Sequence, residues 1–130
     1  RAALEEGVVP GAATAYLEAS KVLQEESPQG HESFVAGWKI FAKALRRPLA
    51  VLGDNAGFSG VALVYKVEEA RLNESSVWVG WDALTNNVRN LENDPVIIDP
   101  TRVVRSVIET AASAAGTLLT VEASLSSYFG

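Results

Sequence analysis

Residues 97–123 read IIDPTRVVRSVIETAASAAGTLLTVEA, and the reading of this stretch decides the fold. From about Pro100 to Thr120 it favours one long helix, with Val103, Val104, Val107, Ile108, Ala111, Ala112, Ala115, Leu118 and Leu119 as apolar positions. Its middle, AASAAG, is built of small side chains that let a neighbouring helix approach closely, so the helix is expected deep in the core. Asp99 stands at its entrance, and two roles are open to it. As an N-cap, with Pro100 at N1 and Thr101 at N2, it would accept from a leading amide and stabilise the helix by about 1 kcal/mol. Alternatively its carboxylate is aimed at a ligand. Local grounds favour the cap.

The segments before it are mostly helical too. Phe34, Trp38, Phe41, Leu45, Leu49 and Leu52 follow at three- and four-residue steps from Glu32 onward, which makes one apolar stripe. Pro48 lies inside that stripe and is expected to kink the helix, and Gly57 is a C-terminal stop. SGVALVYKVEEAR, from Ser59, gives another helix with Ser59 as N-cap and Val61, Val64, Tyr65 and Leu72 facing inward. Ala12 to about Gln24 favours helix, after a short turn in VVPGAA and a helix end in RAALEEG at Gly7. The period changes in SVWVGWDAL and NNVRNLEND, which read as a small β-hairpin across Thr85 to Asn87. VEASLSSYF is a candidate C-terminal edge strand. The expected class is therefore mainly α, a helical bundle with one small hairpin.

Composition narrows the function. A chain of 130 residues suits one domain with one core. The 48% apolar and 21% charged residues are those of a soluble globular protein. A formal charge of −5 argues against a nucleic-acid or anionic-membrane surface, because phosphate binding is driven by Lys and Arg. With no cysteine and one histidine, disulfides, zinc-thiolate sites and Cys–His catalysis are excluded. His31, in the polar stretch SPQGHES, reads as a solvated residue at a helix start rather than as a triad member. No apolar run approaches the ~20 residues that span a bilayer, and no basic-then-apolar leader marks secretion. The chain opens at Arg1 inside what reads as a helix, as a segment of a longer protein would.

No complete catalytic constellation is visible. GAATAY lacks the lysine and hydroxyl of a phosphate-binding Walker loop. The pairs Glu5–Glu6, Glu25–Glu26 and Glu68–Glu69 are most simply solvated faces, since adjacent positions on a helix do not face each other.

The order of the segments adds what local chemistry does not. RAALEEGVVPG, RRPLAVLGDNAG, GWDALT and the closing stretch quoted above together resemble the C-terminal part of group I chaperonins, the GroEL-like class. The closing stretch is the most specific, with its Ile-Asp-Pro-Thr, Arg-Ser and Ala-Ala-Ser-x-Ala-Gly runs. The resemblance covers nearly the whole chain but only the closing segment of a much longer family protein. It implies part of a mainly helical equatorial domain that binds ATP and makes ring contacts, with apical and intermediate domains absent. Implied partners are other subunits in a ring, with unfolded polypeptide clients and a co-chaperonin acting through the missing domains. The implied compartment is the bacterial cytoplasm, or a mitochondrial or plastid interior.

Carried over position by position, the resemblance puts nucleotide contacts on Gly11, Ala12 and Ala13 (the family's triple glycine), on Asp82, Ala83 and Leu84 (beside adenine), and on Asp99, which would bond the ribose hydroxyls. Several of these depart from the family pattern. Two alanines replace glycines where backbone approaches ligand. Asp82 replaces an amide, and Leu84 is bulkier than alanine. The family's phosphate loop, its Mg²⁺-binding aspartate and the aspartate implicated in hydrolysis have no counterpart in this chain. The complete protein is accordingly expected to be an ATPase that drives protein folding, while this segment alone is not expected to hydrolyse ATP. The other reading is a structural or interaction module of a degenerate chaperonin that no longer binds ATP.

Overall fold

A computed structural model describes residues 7–116 and Leu125. The chain alternates short strands and helices: β1 (Val8–Pro10), α1 (Thr14–Glu25), α2 (Glu32–Ala44), α3 (Arg47–Asn55), α4 (Gly60–Glu74), β2 (Val79–Asp82), β3 (Asn87–Asn90), β4 (Ile98–Pro100) and α5 (Thr101–Ala114). The mainly helical class and the hairpin agree with the expectation. The candidate edge strand over 121–129 lies outside the described residues, apart from Leu125, which is buried. The helix end in RAALEEG also lies outside them, up to Gly7.

α1 is the central element. Ala15, Ala19 and Leu23 face one apolar cluster, with Trp38, Phe41 and Leu45 of α2 and its end and Val104, Ile108 and Ala112 of α5. Ala13 and Leu17 face a second cluster, with Leu49, Ala50, Leu63, Val64, Val67 and Trp81. Two buried polar groups tie α1 to α2: the Ser20 hydroxyl donates to the Ala42 carbonyl at 2.6 Å, and the Trp38 indole donates to the Leu23 carbonyl at 3.0 Å. Both donors are satisfied by carbonyls.

The apolar stripe from Phe34 to Leu52 is divided between two helices. The chain turns at Leu45–Arg46, and Pro48 sits in the first turn of α3 instead of kinking a continuous helix. Proline lacks the amide that an interior position must donate, whereas a first-turn amide has no intrahelical acceptor to lose. The turn sends Leu45 to the first cluster and Leu49 to the second.

α4 is also rotated from its expected orientation. Val61, Tyr65 and Leu72 are exposed, and the inward face is Gly60, Leu63, Val64, Val67 and Arg71. The cause is Gly60, whose missing side chain lets α4 cross α3 in contact with the Ala50 carbonyl. Ser59 does cap the helix, accepting from the Ala62 amide at 3.3 Å. His31 caps α2 through Nδ1, which accepts from the Ser33 amide at 3.1 Å.

Two strands were not legible as strands. β1, in VVPGAA, and β4, in VIIDP, pair antiparallel with Val8 opposite Pro100, Val9 opposite Asp99 and Pro10 opposite Ile98. This pairing overturns the cap reading of Asp99. Pro100 is the N-cap of α5, in extended conformation and with no side-chain bond, while Asp99 belongs to the ladder. The Thr101 amide instead donates to the Gly7 carbonyl at 3.1 Å, so a leading amide is satisfied across the ladder.

α5 is shorter and less buried than expected. It stops at Ala114, with Gly116 in the left-handed region at φ 76°. Thr101, Val104, Ile108 and Ala112 face inward, whereas Val103 and Val107 are each 49% exposed. A single stripe is buried, so the helix lies on the flank of the described residues.

Candidate functional site

The turn Gly11–Ala12–Ala13 leaves β1 and enters α1 beside β4. The Gly11 amide donates to the Ile97 carbonyl at 3.0 Å, continuing the β1–β4 pairing, and the Thr14 amide returns to the Gly11 carbonyl at 3.0 Å. A Cβ on Gly11 would stand 3.1 Å from the Ile98 backbone, so the approach of the two strands requires a small residue. Ala12 and Ala13 both have positive φ, 52° and 63°. A left-handed alanine costs roughly 1–2 kcal/mol, so the turn keeps a glycine-like path with residues that resist it. Ala12→Gly is therefore expected to raise stability by about 0.5–1 kcal/mol after the entropic cost of glycine. Ala13→Gly should be near neutral, because Ala13 also loses a buried methyl group worth about 0.8 kcal/mol. Denaturant unfolding of the two variants checks the ordering, and a clear loss in Ala12→Gly would contradict it.

α1 begins without a side-chain cap. The amides of Ala15 and Tyr16 meet no acceptor among the described residues. Such a helix start presents amide donors and the positive end of the peptide dipoles.

Asp99 lies across the ladder from Val9, on the face that Val9 turns into the core. Its carboxylate receives no hydrogen bond among the described residues, and burial raises its pKa above the ordinary aspartate value. The Tyr16 phenol is raised as well, first by burial and then by the charge of Asp99. For an acid whose pKa is raised on folding, the folded state holds its proton to higher pH than the unfolded chain. Stability from this group is complete below the ordinary aspartate range and is lost as pH rises through the raised value. Asp99→Asn should therefore flatten that part of the pH–stability curve and raise the melting temperature at neutral pH.

The hairpin residues are placed differently. Trp81 is buried against Ala13 and Leu17, so β2 touches the start of α1, and Gly80 abuts the buried Thr14 hydroxyl. Asp82 is engaged within the hairpin: Oδ1 accepts from the Leu84 amide at 3.0 Å and Oδ2 from Arg89 Nε at 3.0 Å. Burial pushes its pKa up, and the hydrogen bonds from Arg89 and the Leu84 amide outweigh this, leaving it below the ordinary value. Ala83 is exposed, and Leu84 projects from the hairpin tip at 94% exposure.

The fold thus gathers Gly11, Ala12, Ala13 and Asp99 at one corner, with Tyr16 beside them, and sets Asp82, Ala83 and Leu84 on a neighbouring hairpin. Neither Tyr16 nor Arg89 carries a role in the reading of the sequence. The signal for Arg89 was its opposite charge to Asp82 across a short hairpin, readable once the register is known. Among the described residues no three His, Asp or Glu side chains cluster to hold a metal ion. A groove of about 400 Å³ between α1 and α4, lined by Lys21, Gln24, Glu25, Glu68, Arg71 and the two leucines Leu17 and Leu72, includes none of the corner residues. No described helix is long and apolar enough to cross a membrane.

The TCP-1/cpn60 chaperonin family matches residues 1–127. The chain belongs to that family. A crystal structure of a group III chaperonin in the open state superposes with a TM-score of 0.72 at 24% identity, over 92% of this chain and 24% of that one. This chaperonin chain thus spans about a quarter of the solved structure it matches, and the likeness extends through its helical fold and small antiparallel sheets. Neither comparison separates group I from group III.

Proposed function

We propose that this chaperonin segment is the closing part of an equatorial domain and contributes one wall of an ATP site in a ring-forming chaperone. The observation that carries the reading is the corner itself: an unbonded, half-buried Asp99 carboxylate beside the uncapped start of α1. One acceptor and a set of main-chain donors suit the two polar parts of a nucleotide. A carboxylate with free oxygens accepts from vicinal ribose hydroxyls, and main-chain amides at a helix start favour phosphate charge. The Gly11–Ala13 turn is tight and follows a glycine-like path, with Ala12 half-buried between the buried Gly11 and Ala13. Phosphoryl transfer also requires Mg²⁺ and a positioned water, which other parts of a chaperonin would supply. Clients, co-chaperonin and ring neighbours follow from the same reading and would engage through the complete protein, in the bacterial cytoplasm or an organelle interior.

The test is a thermal shift of the complete protein that carries this segment. ATP at ~100 times its dissociation constant should add ~2.7 kcal/mol. Asp99→Asn should abolish that shift while raising the melting temperature of the nucleotide-free protein. This opposite movement separates a ligand contact from a fold contact. No ATP shift in the parent protein would favour the other reading, a chaperonin scaffold that has lost nucleotide chemistry, to which the two alanines and the engaged Asp82 give support.

A further inference from the structure

We infer that Asp82 and Arg89 form a latch that sets the position of the Gly11 turn and Asp99. Asp82 is then a positioning residue and not a group that touches the base, an inference that rests on the nucleotide reading for its functional consequence. The Arg89 guanidinium uses its whole fork. Nε donates to Asp82 at 3.0 Å, Nη1 to the carbonyls of Asn90 at 2.9 Å and Asn93 at 3.1 Å, and Nη2 to the Pro95 carbonyl at 2.6 Å. It therefore binds both the hairpin and the connection from Leu91 to Ile97.

That connection has little apolar packing to shape it. Leu91 is fully buried at its root, while Glu92, Asn93, Asp94, Pro95 and Val96 are all exposed. Its form rests on hydrogen bonds: those of Arg89, the Asn90 side chain accepting from the Glu92 amide at 2.8 Å, and the main-chain bonds from Asn93 to Asn90 at 3.3 Å and from Ile97 to Leu91 at 3.0 Å. From the same connection a series of main-chain bonds runs to the corner. The Leu91 amide donates to Trp78 at 2.8 Å, Ile97 to Leu91 at 3.0 Å, and Gly11 to Ile97 at 3.0 Å. Asp99 follows two residues later, opposite Val9. An exposed ion pair would carry little weight in such an argument. Here the Asp82 side chain is only 4% exposed and Arg89 is held by several acceptors at once, so the pair has one geometry.

The test compares wild type with Arg89→Met, Arg89→Lys and Asp82→Asn in the complete protein. Amide hydrogen exchange at Gly11 and Ile97 should speed by about tenfold or more in Arg89→Met, with the α2 amides of Phe41 and Ala42 unchanged. Arg89→Lys, which keeps the charge without the fork, should fall between and serves as the readout if Arg89→Met does not fold. In Arg89→Met and Asp82→Asn the preference for ATP over 2′-deoxy-ATP should shrink toward unity, while the ratio of ATP to GTP affinity stays put. Unchanged exchange at Gly11 and Ile97 in both Arg89 variants overturns the latch. So does an Asp82→Asn protein whose ATP-to-GTP ratio moves while its ribose preference holds, for Asp82 would then contact the base. A wild-type protein that binds no nucleotide sinks the nucleotide reading instead, and the latch is still judged by the exchange arm.

Discussion

Gly60→Ala is expected to lower stability by about 3 kcal/mol or more. A Cβ at Gly60 would stand 2.0 Å from the Ala50 carbonyl oxygen and 2.7 Å from both the carbonyl carbon and Asp54 Oδ1. Two of these atoms belong to the backbone of α3, so relief requires the helices to separate. Separation would open the second apolar cluster, where Leu49, Ala50, Leu63 and Val64 meet. It would also break the bond from the Gly60 amide to Asp54 Oδ1, 2.8 Å long. Overpacking usually costs ~1–3 kcal/mol, and the rigid partner places this site at or beyond the top of that range. Gly53→Ala is the internal comparison. Its Cβ would meet the flexible end of Leu63 at 2.9 Å and the Gly60 Cα at 3.1 Å, a milder approach than 2.0 Å to a carbonyl oxygen, so a loss of about 1–2 kcal/mol is expected. Urea unfolding of the two variants measures the order. A Gly60→Ala protein as stable as Gly53→Ala would refute the close crossing.

Arg71→Met should cost about 3–5 kcal/mol. Arg71 sits on the buried face of α4 and pairs with Glu18 of α1, with side chains only 8% and 9% exposed. Its Nη1 also donates to the carbonyls of Val77 at 2.8 Å and Val79 at 3.1 Å, so one guanidinium joins α1, α4 and the start of the hairpin. Methionine fills most of the volume but strands a buried carboxylate and removes the donor shared by two carbonyls. An uncompensated charge in that position is the expensive part. The contrast is Arg46, which meets Glu68 through two bonds of 3.0 and 2.8 Å and lies over the Tyr65 ring. That pair is about a third exposed, so Arg46→Met should cost no more than about 1 kcal/mol. A double-mutant cycle on Glu18 and Arg71 should return a large coupling, and similar losses from the two arginine variants would refute the distinction.

Why some features were legible and others were not follows from the range of the forces involved. The helix starts at Ser59 and His31 and the hairpin around Asn86 are set by neighbours in sequence, and periodicity found them. The misjudged features were set by distant contacts. The inward face of α4 depends on where Gly60 meets Ala50, a contact that a hydrophobicity pattern with Val61 and Tyr65 on the other face cannot encode. β1 and β4 are too short to have a period of their own, and each exists because the other is there. Pairing then moved Asp99 from the helix cap into the ladder. The corner residues Gly11, Ala12 and Asp99 came from the order of family motifs, and local spacing alone would have left Asp99 as a cap. Arg89 escaped notice because its role depends on a register and a loop path.

The β1–β4 ladder also bears on how the protein acquires its corner. Val9 and Asp99 are about ninety residues apart in sequence, and the two strands contribute only three residues each. Joining them closes a loop around most of the described chain, at an entropic cost that three pairs of main-chain groups cannot offset alone. The helices, whose contacts are local, can form earlier and narrow the search. The corner therefore exists only where strands some ninety residues apart have met, and a ligand that requires it would recognise only molecules that have completed that closure.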